Sequence, residues 1–142
     1  MMNNNKTGAQ FEKEFCQYLA KNGWWAHFLS PNASGAQPFD IIAMRNRDVY
    51  AIDCKTCADG RFPISRIEDN QRLAFTNIIW KSASVKCGLA ILYNDEIYYI
   101  PFEDVLVFEK YNIKTIKLTE GYKYNSRNCF ELNQNRESDS RM

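Results

Sequence analysis

Two acids and a lysine are placed where charge is least expected. In PFDIIAMRNRDVYAIDCKT, residues 38–56, Asp40 opens one apolar, β-branched segment and Asp53 and Lys55 sit near the end of the next. Alternate residues of a strand share a face, so Asp53 and Lys55 project together while Ile52 and Cys54 point the other way. A strand-borne carboxylate facing a second acid is costly to ionise unless a cation lies between them, and a divalent metal is the usual answer. Oxygen ligands favour magnesium or manganese over zinc.

A third acid can come from the first helical segment. With Phe11 set at zero and about 100° per residue, the apolar residues Phe11, Phe15, Cys16, Tyr18 and Leu19 average near 45°, with Glu12 near 100° and Glu14 near 300°. Glu12 therefore borders the core-facing stripe and Glu14 lies farther from it. Taken singly, each charge has an ordinary role open to it. Asp40 could cap a turn, Asp53 and Lys55 could pair on an edge strand, and Glu12 could be a solvated helix residue.

The elements that must position these groups follow from periodicity. Residues 7–21 read as a helix stopped by Asn22-Gly23, residues 24–30 as a strand, and residues 31–37 as a loop. Residues 39–44 and 48–56 read as two strands around a turn at 45–47. A linker at 58–63 precedes a helix over 65–81, for which Ser65 with Glu68 offers a capping box. Residues 86–94 and 96–102 read as a hairpin turning at Asn94-Asp95. A short helix at 103–107 and a strand at 114–118 complete the pattern. The core order α-β-β-β-α-β-β predicts an α/β (α+β) fold with a mixed central sheet flanked by helices. Residues 1–120 are expected to form one domain and residues 121–142 a flexible tail.

The 142 residues are 45% apolar and 25% charged, enough for one folded core. No apolar run approaches the roughly 20 residues of a membrane span, and the polar start MMNNNK lacks a signal peptide's apolar region, so a cytoplasmic protein is expected. The five irregularly spaced cysteines argue against a disulfide scaffold. The net charge of +1 does not by itself announce a nucleic-acid binder. In residues 1–81, however, ten Lys and Arg face eight Asp and Glu, and neutralising three of those acids would leave ten against five.

Glu12 in KTGAQFEKEF, Asp40 in PFDII and Asp53-Cys54-Lys55 in AIDCK together resemble the PD-(D/E)xK nuclease superfamily. Lys6, Gly8 and Glu12, then Ser34-Gly35, residues 38–42, residues 53–55 and Gln71 extend the resemblance to Holliday junction resolvases of the Hjc type and the related RecU type. RFPISRIEDNQRLAF is similar to the segment that follows the lysine in the RecU type, and IPFED at 100–104 to the end of the Hjc-type core. Two departures stand out: Phe39 separates Pro38 from Asp40, and the motif acid is Asp53 where glutamate is common.

The resemblance implies a restriction-endonuclease-like core and a metal-dependent endodeoxyribonuclease acting on four-way DNA junctions. Glu12, Asp40, Asp53 and the Cys54 carbonyl would hold Mg2+ or Mn2+, Lys55 would act on the attacking water or the phosphate, and Gln71 would support them. DNA contacts are expected from Lys6, Arg45, Arg47, Arg61, Arg66 and Arg72, with the backbone of Ser34 and Gly35. Two symmetric cuts call for a homodimer, for which Ile78, Ile79 and Trp80 offer apolar surface. A restriction or repair nuclease on the same core, and a non-catalytic DNA-binding module, stay open as alternatives. Cys54-Lys55-Thr56-Cys57 has CxxC spacing without a partner pair, Cys54 reads as a small buried hydrophobe, and His27 as structural.

Overall fold

Thr7 starts the first helix by accepting a hydrogen bond from Gln10 N while the Gln10 side chain returns one to Thr7 N, a reciprocal capping box. The computed structural model describes residues 7–29 and 37–124; Lys6, Ser34, Gly35 and the tail from 125 onward lie outside the described residues. Helix α1 (Gly8–Lys21) buries Phe11, Phe15 and Leu19, the stripe that its spacing predicts. Asn22 and Gly23 end it, and Gly23 takes φ 86°, a conformation few other residues adopt without strain.

Strands β1 (Trp25–Phe28), β2 (Ile41–Arg45), β3 (Asp48–Thr56), β5 (Val85–Tyr93) and β6 (Glu96–Pro101) form one five-stranded sheet in the order β1-β2-β3-β5-β6. It is mixed: β3 runs antiparallel to β2 and parallel to β5. The crossover between β3 and β5 carries helix α2 (Asp69–Lys81), as a parallel pair requires. Asn94 and Asp95 both take positive φ, 51° and 63°, giving the β5–β6 hairpin its two-residue turn. Helix α3 (Phe102–Lys110) follows, longer at both ends than the expected 103–107.

The sheet has two differently built faces. On one, α1 packs its aromatic stripe over Ile41, Tyr50, Ile52 and Cys54. On the other, Phe62, Ile64, Phe75, Phe102 and Val105 cover Ala51, Leu89 and Ile91. Cys54 is therefore the buried packing residue expected from strand parity, and burial, the largest cause, pushes its thiol pKa well up.

Four expectations need correction. Residues 58–63 are more than a linker: β4 (Arg61–Pro63) pairs antiparallel with β7 (Thr115–Lys117), burying Phe62 against Ile116. Helix α2 begins at Asp69, not near residue 65. Residues Ile64–Arg66 form a 3-10 turn, Ile67 is extended, and burial of Ile64 and Ile67 holds the chain in that path, so Glu68 and not Ser65 is the N-cap. Ile78 and Ile79 pack partly buried against this chain's own core, leaving Trp80 and Leu73 as the exposed apolar residues of α2. Residues 121–124 belong to the folded body: Tyr124 is buried, edge-on to Phe15, and its N–H donates to Ile97 O.

Candidate active site

Strand β3 holds Asp53 with no exposed side-chain surface in the middle of the sheet. Its neighbours across the ladder, Leu89 on β5 and Ile52 beside it, are fully buried, so the carboxylate has little water. Gln71, from the first turn of α2, donates Nε2 to Asp53 Oδ1 at 2.8 Å. Lys55 Nζ lies 3.2 Å from Asp53 Oδ2, an ion-pair distance whose angle still leaves that buried oxygen without a good hydrogen bond. Lys55 donates at 3.2 Å to Gln71 Oε1, which also accepts from Glu68 N at 3.1 Å. One glutamine thus ties the acid, the lysine and the helix start together.

Asp40 stands just before β2. Its Oδ2 accepts from Cys54 N at 2.7 Å, and its Oδ1 from Gln37 Nε2 at 2.7 Å. The β2–β3 register ends at Ile41 and Ile52, and the last main-chain bond runs from Asp40 N to Ile52 O at 3.0 Å, so the Asp40 side chain takes up the next amide, that of Cys54. A strand residue's N–H and C=O point to the same edge, so the Cys54 carbonyl turns to that side as well. Phe39 is explained here: its ring stacks on Phe75 of α2, centroids 6.2 Å apart, and anchors the segment leading into Asp40.

Glu12 approaches from α1, and with Asp40, Asp53, Cys54, Lys55, Gln71, Gln37, Glu68 and Asn70 it lines a cleft of about 240 Å³. Glu14 does not line it. Burial, then the nearby Asp40 charge and hydrogen bond, raises the Glu12 pKa from 4.5 to about 7, with Lys55 opposing. Burial first and Asp40 second raise Asp53 from 3.8 to about 8, again opposed by Lys55. Among the described residues no three acids are already spaced around a common point as a formed ion cage. Even so, a buried carboxylate oxygen without a hydrogen bond, beside two further acids and a backbone carbonyl, is a hard-oxygen donor set suited to a divalent cation.

Sequence reasoning missed Gln37, Glu68 and Asn70. Asn70 Nδ2 donates to Gln37 O at 2.7 Å, so α2 fixes Gln37 and Gln37 fixes Asp40. Glu68 lines the cleft with Oε1 3.9 Å from Lys55 Nζ. The Glu68-x-x-Gln71 spacing was a usable signal, since glutamine at the third helical position is a capping-box signature.

The expected DNA contacts separate into groups. Arg66 is at the cleft end of β3, its Nη1 donating to Thr56 O at 2.6 Å. Arg72 is paired with Glu109 at 2.7 Å, and Arg61 is on the small sheet. Arg45 and Arg47 lie at the opposite end of β3, roughly 20 Å from Asp53 at about 3.3 Å per strand residue.

The model of the archaeal Holliday junction resolvase (Hjc) family matches residues 3–128. A curated relative from Methanocaldococcus jannaschii, the crossover junction endodeoxyribonuclease Hjc, is 30% identical over 103 residues, covering 72% of this chain and 71% of that protein. The solved structure of Hjc from Archaeoglobus fulgidus, described as a Holliday junction resolvase from an archaeal hyperthermophile, superposes with a TM-score of 0.55 at 19% identity. It covers 68% of this chain and 78% of that one and supports the nuclease-like fold.

Proposed function

The chain belongs to the archaeal Holliday junction resolvase (Hjc) family, structure-selective endonucleases of the PD-(D/E)xK superfamily, and we propose that its cleft makes the cut by metal-dependent phosphodiester hydrolysis. The observation that carries this reading is the fully buried Asp53 carboxylate, pushed up to about 8 by burial and by Asp40, lining one cleft with Glu12, Asp40 and Lys55, whose Nζ lies 3.2 Å from Asp53 Oδ2. Such a group is a liability for folding and gains its purpose from a cation.

Asp53, Asp40 and Glu12 would hold the ion, with the Cys54 carbonyl as a further oxygen; magnesium suits this set and manganese is accommodated. When bound, the ion lowers the pKa of the attacking water and offsets charge growing on the phosphate. Lys55, with a side chain 12% exposed, presents a fixed positive charge to the cleft, where it orients that water or stabilises the phosphate in the transition state. Gln71 limits the freedom of both Asp53 and Lys55, so neither has to be ordered during the reaction.

Paired cuts across a four-way junction call for two clefts, and a homodimer is the economical arrangement, with Trp80 and Leu73 as candidate contacts. The test offers purified protein synthetic four-way junctions, linear duplexes, flaps and single strands, with and without Mg2+, alongside a solution mass measurement. Mg2+-dependent, paired cuts confined to the junction are expected, from a particle of twice the chain mass. Equal cutting of linear duplex points instead to another nuclease type on this core, cleavage without divalent ions removes the metal, and a monomeric active species removes the dimer.

A further inference from the structure

We infer that the open sheet face around Trp25 and His27 on β1 is a stacking site for an unpaired nucleobase of the DNA substrate. This inference rests on the reading that the chain acts on branched DNA.

β1 is the edge strand of the sheet, and its exposure alternates: Ala26 and Phe28 pack toward α1, while Trp25 and His27 are exposed on the opposite face. Trp25 is 57% exposed, and Met44, its direct partner on β2, is 40% exposed. The Trp25 and His27 rings are stacked with centroids 5.8 Å apart and planes within 7°, forming a flat aromatic surface open to solvent. Large apolar rings held parallel in water contribute little to the fold, but they present the surface on which a base stacks whatever its sequence.

Charge selects the occupant. The adjoining β2–β3 turn carries the exposed Arg47, whereas Arg45 at the end of β2 and Lys86 on β5, at the same end of the sheet, alternate to the α1 face. Arg45 is held over Trp24, its guanidinium carbon 4.6 Å from the ring centroid, and donates to Asn22 O. Asp48, the first residue of β3, lies 4.0 Å from Lys86 Nζ. Stacked rings open to solvent, with the exposed Arg47 in the turn next to them, fit a polyanion carrying bases.

Register fixes the relation to the cleft. His27 pairs with Ile42, which pairs with Ala51, and Ala51 shares its strand face with Asp53 and Lys55. The rings therefore lie on the face that presents Asp53. From the strand spacing and rise, they are offset by roughly 12 Å (His27) to 16 Å (Trp25). That is about three to five base-pair rises, a separation at which one DNA strand can engage both places. A branch point, where pairing and stacking are interrupted, supplies such a base; an intact linear duplex does not.

The experiment measures binding of wild type, Trp25→Ala, Trp25→Phe and Arg47→Ala to a four-way junction and to a linear duplex in EDTA, with 2-aminopurine at the branch point as a fluorescent reporter of stacking. Trp25→Ala is expected to weaken junction binding by on the order of 10-fold or more and to abolish the change in 2-aminopurine emission. Trp25→Phe should restore most of both, and duplex binding should be unchanged. Arg47→Ala should weaken junction and duplex alike and lower the salt slope by about 1. Equal junction binding by wild type and Trp25→Ala overturns the inference, as does equal loss on both DNAs or a change in solution mass in place of a change in DNA binding. Wild-type protein that neither binds nor cuts junctions overturns the proposed function itself, an outcome visible before any variant is made.

Discussion

Strand β3 carries an aspartate near a lysine at each of its ends, and the two pairs behave differently. At the turn end, Asp48 and Lys86 lie 4.0 Å apart with side chains 43% and 54% exposed. At the cleft end, Asp53 and Lys55 lie 3.2 Å apart with 0% and 12% exposed. The first is a solvated pair whose net contribution to stability is small. The second sits where water is excluded, a further acid is close, and the lysine does not fully compensate, so Asp53 is raised to about 8. Pairing is common to both ends; burial and the like charge of Asp40 make only one of them chemically active.

The largest test of that contrast substitutes the two aspartates. Asp53→Asn removes the buried charge while preserving shape, and junction cleavage in Mg2+ should fall by on the order of 10³-fold or more, with junction binding retained. Asp48→Asn should leave cleavage within about two-fold, as expected for an exposed pair. Unchanged cleavage by Asp53→Asn in a gel assay would remove Asp53 from the reaction. Gln71→Ala addresses the support of the site. Losing the side chain that holds both Asp53 and Lys55 should lower single-turnover cleavage by roughly 10- to 100-fold. Full activity in that variant would mean that β3 alone orients the pair.

Much of the cleft end was legible in the sequence because strand parity and helix angle are local rules. Asp53, Lys55 and Cys54 needed only the alternation of β3, and Glu12 over Glu14 needed only the angle from Phe11. The Asn94-Asp95 turn was equally local. What escaped depended on contacts distant along the chain. Phe39 looked like an interruption of a motif until Phe75, 36 positions later, supplied the ring it stacks on. The start of α2 was misplaced because burial of Ile64 and Ile67 outweighs the capping signal at Ser65. Gln37 and Asn70 gain meaning only from each other. Arg45 and Arg47 flank the motif in sequence yet sit at the other end of the sheet, because the extended strand β3 separates them from Asp53.

A smaller effect should appear in stability as a function of pH. Asp53 titrates near 3.8 when unfolded and near 8 when folded, and Glu12 moves from 4.5 to about 7, both raised chiefly by burial. Below the unfolded values each group is protonated in both states and neither affects the balance. As pH rises from about 4 toward 8, the unfolded chain releases protons that the folded chain retains, so these groups progressively destabilise the metal-free protein. Asp53→Asn cannot ionise there. Its advantage over wild type should be absent near pH 4 and grow to the order of 1–3 kcal/mol, several degrees in Tm, by pH 8. Added Mg2+ should then raise the wild-type Tm more than that of the variant, since only the former keeps the full acid set. Parallel Tm curves for the two proteins across this range, in the presence of EDTA, would show that Asp53 is already ionised and compensated by Lys55, and the difference between the two ends of β3 would then be one of exposure alone.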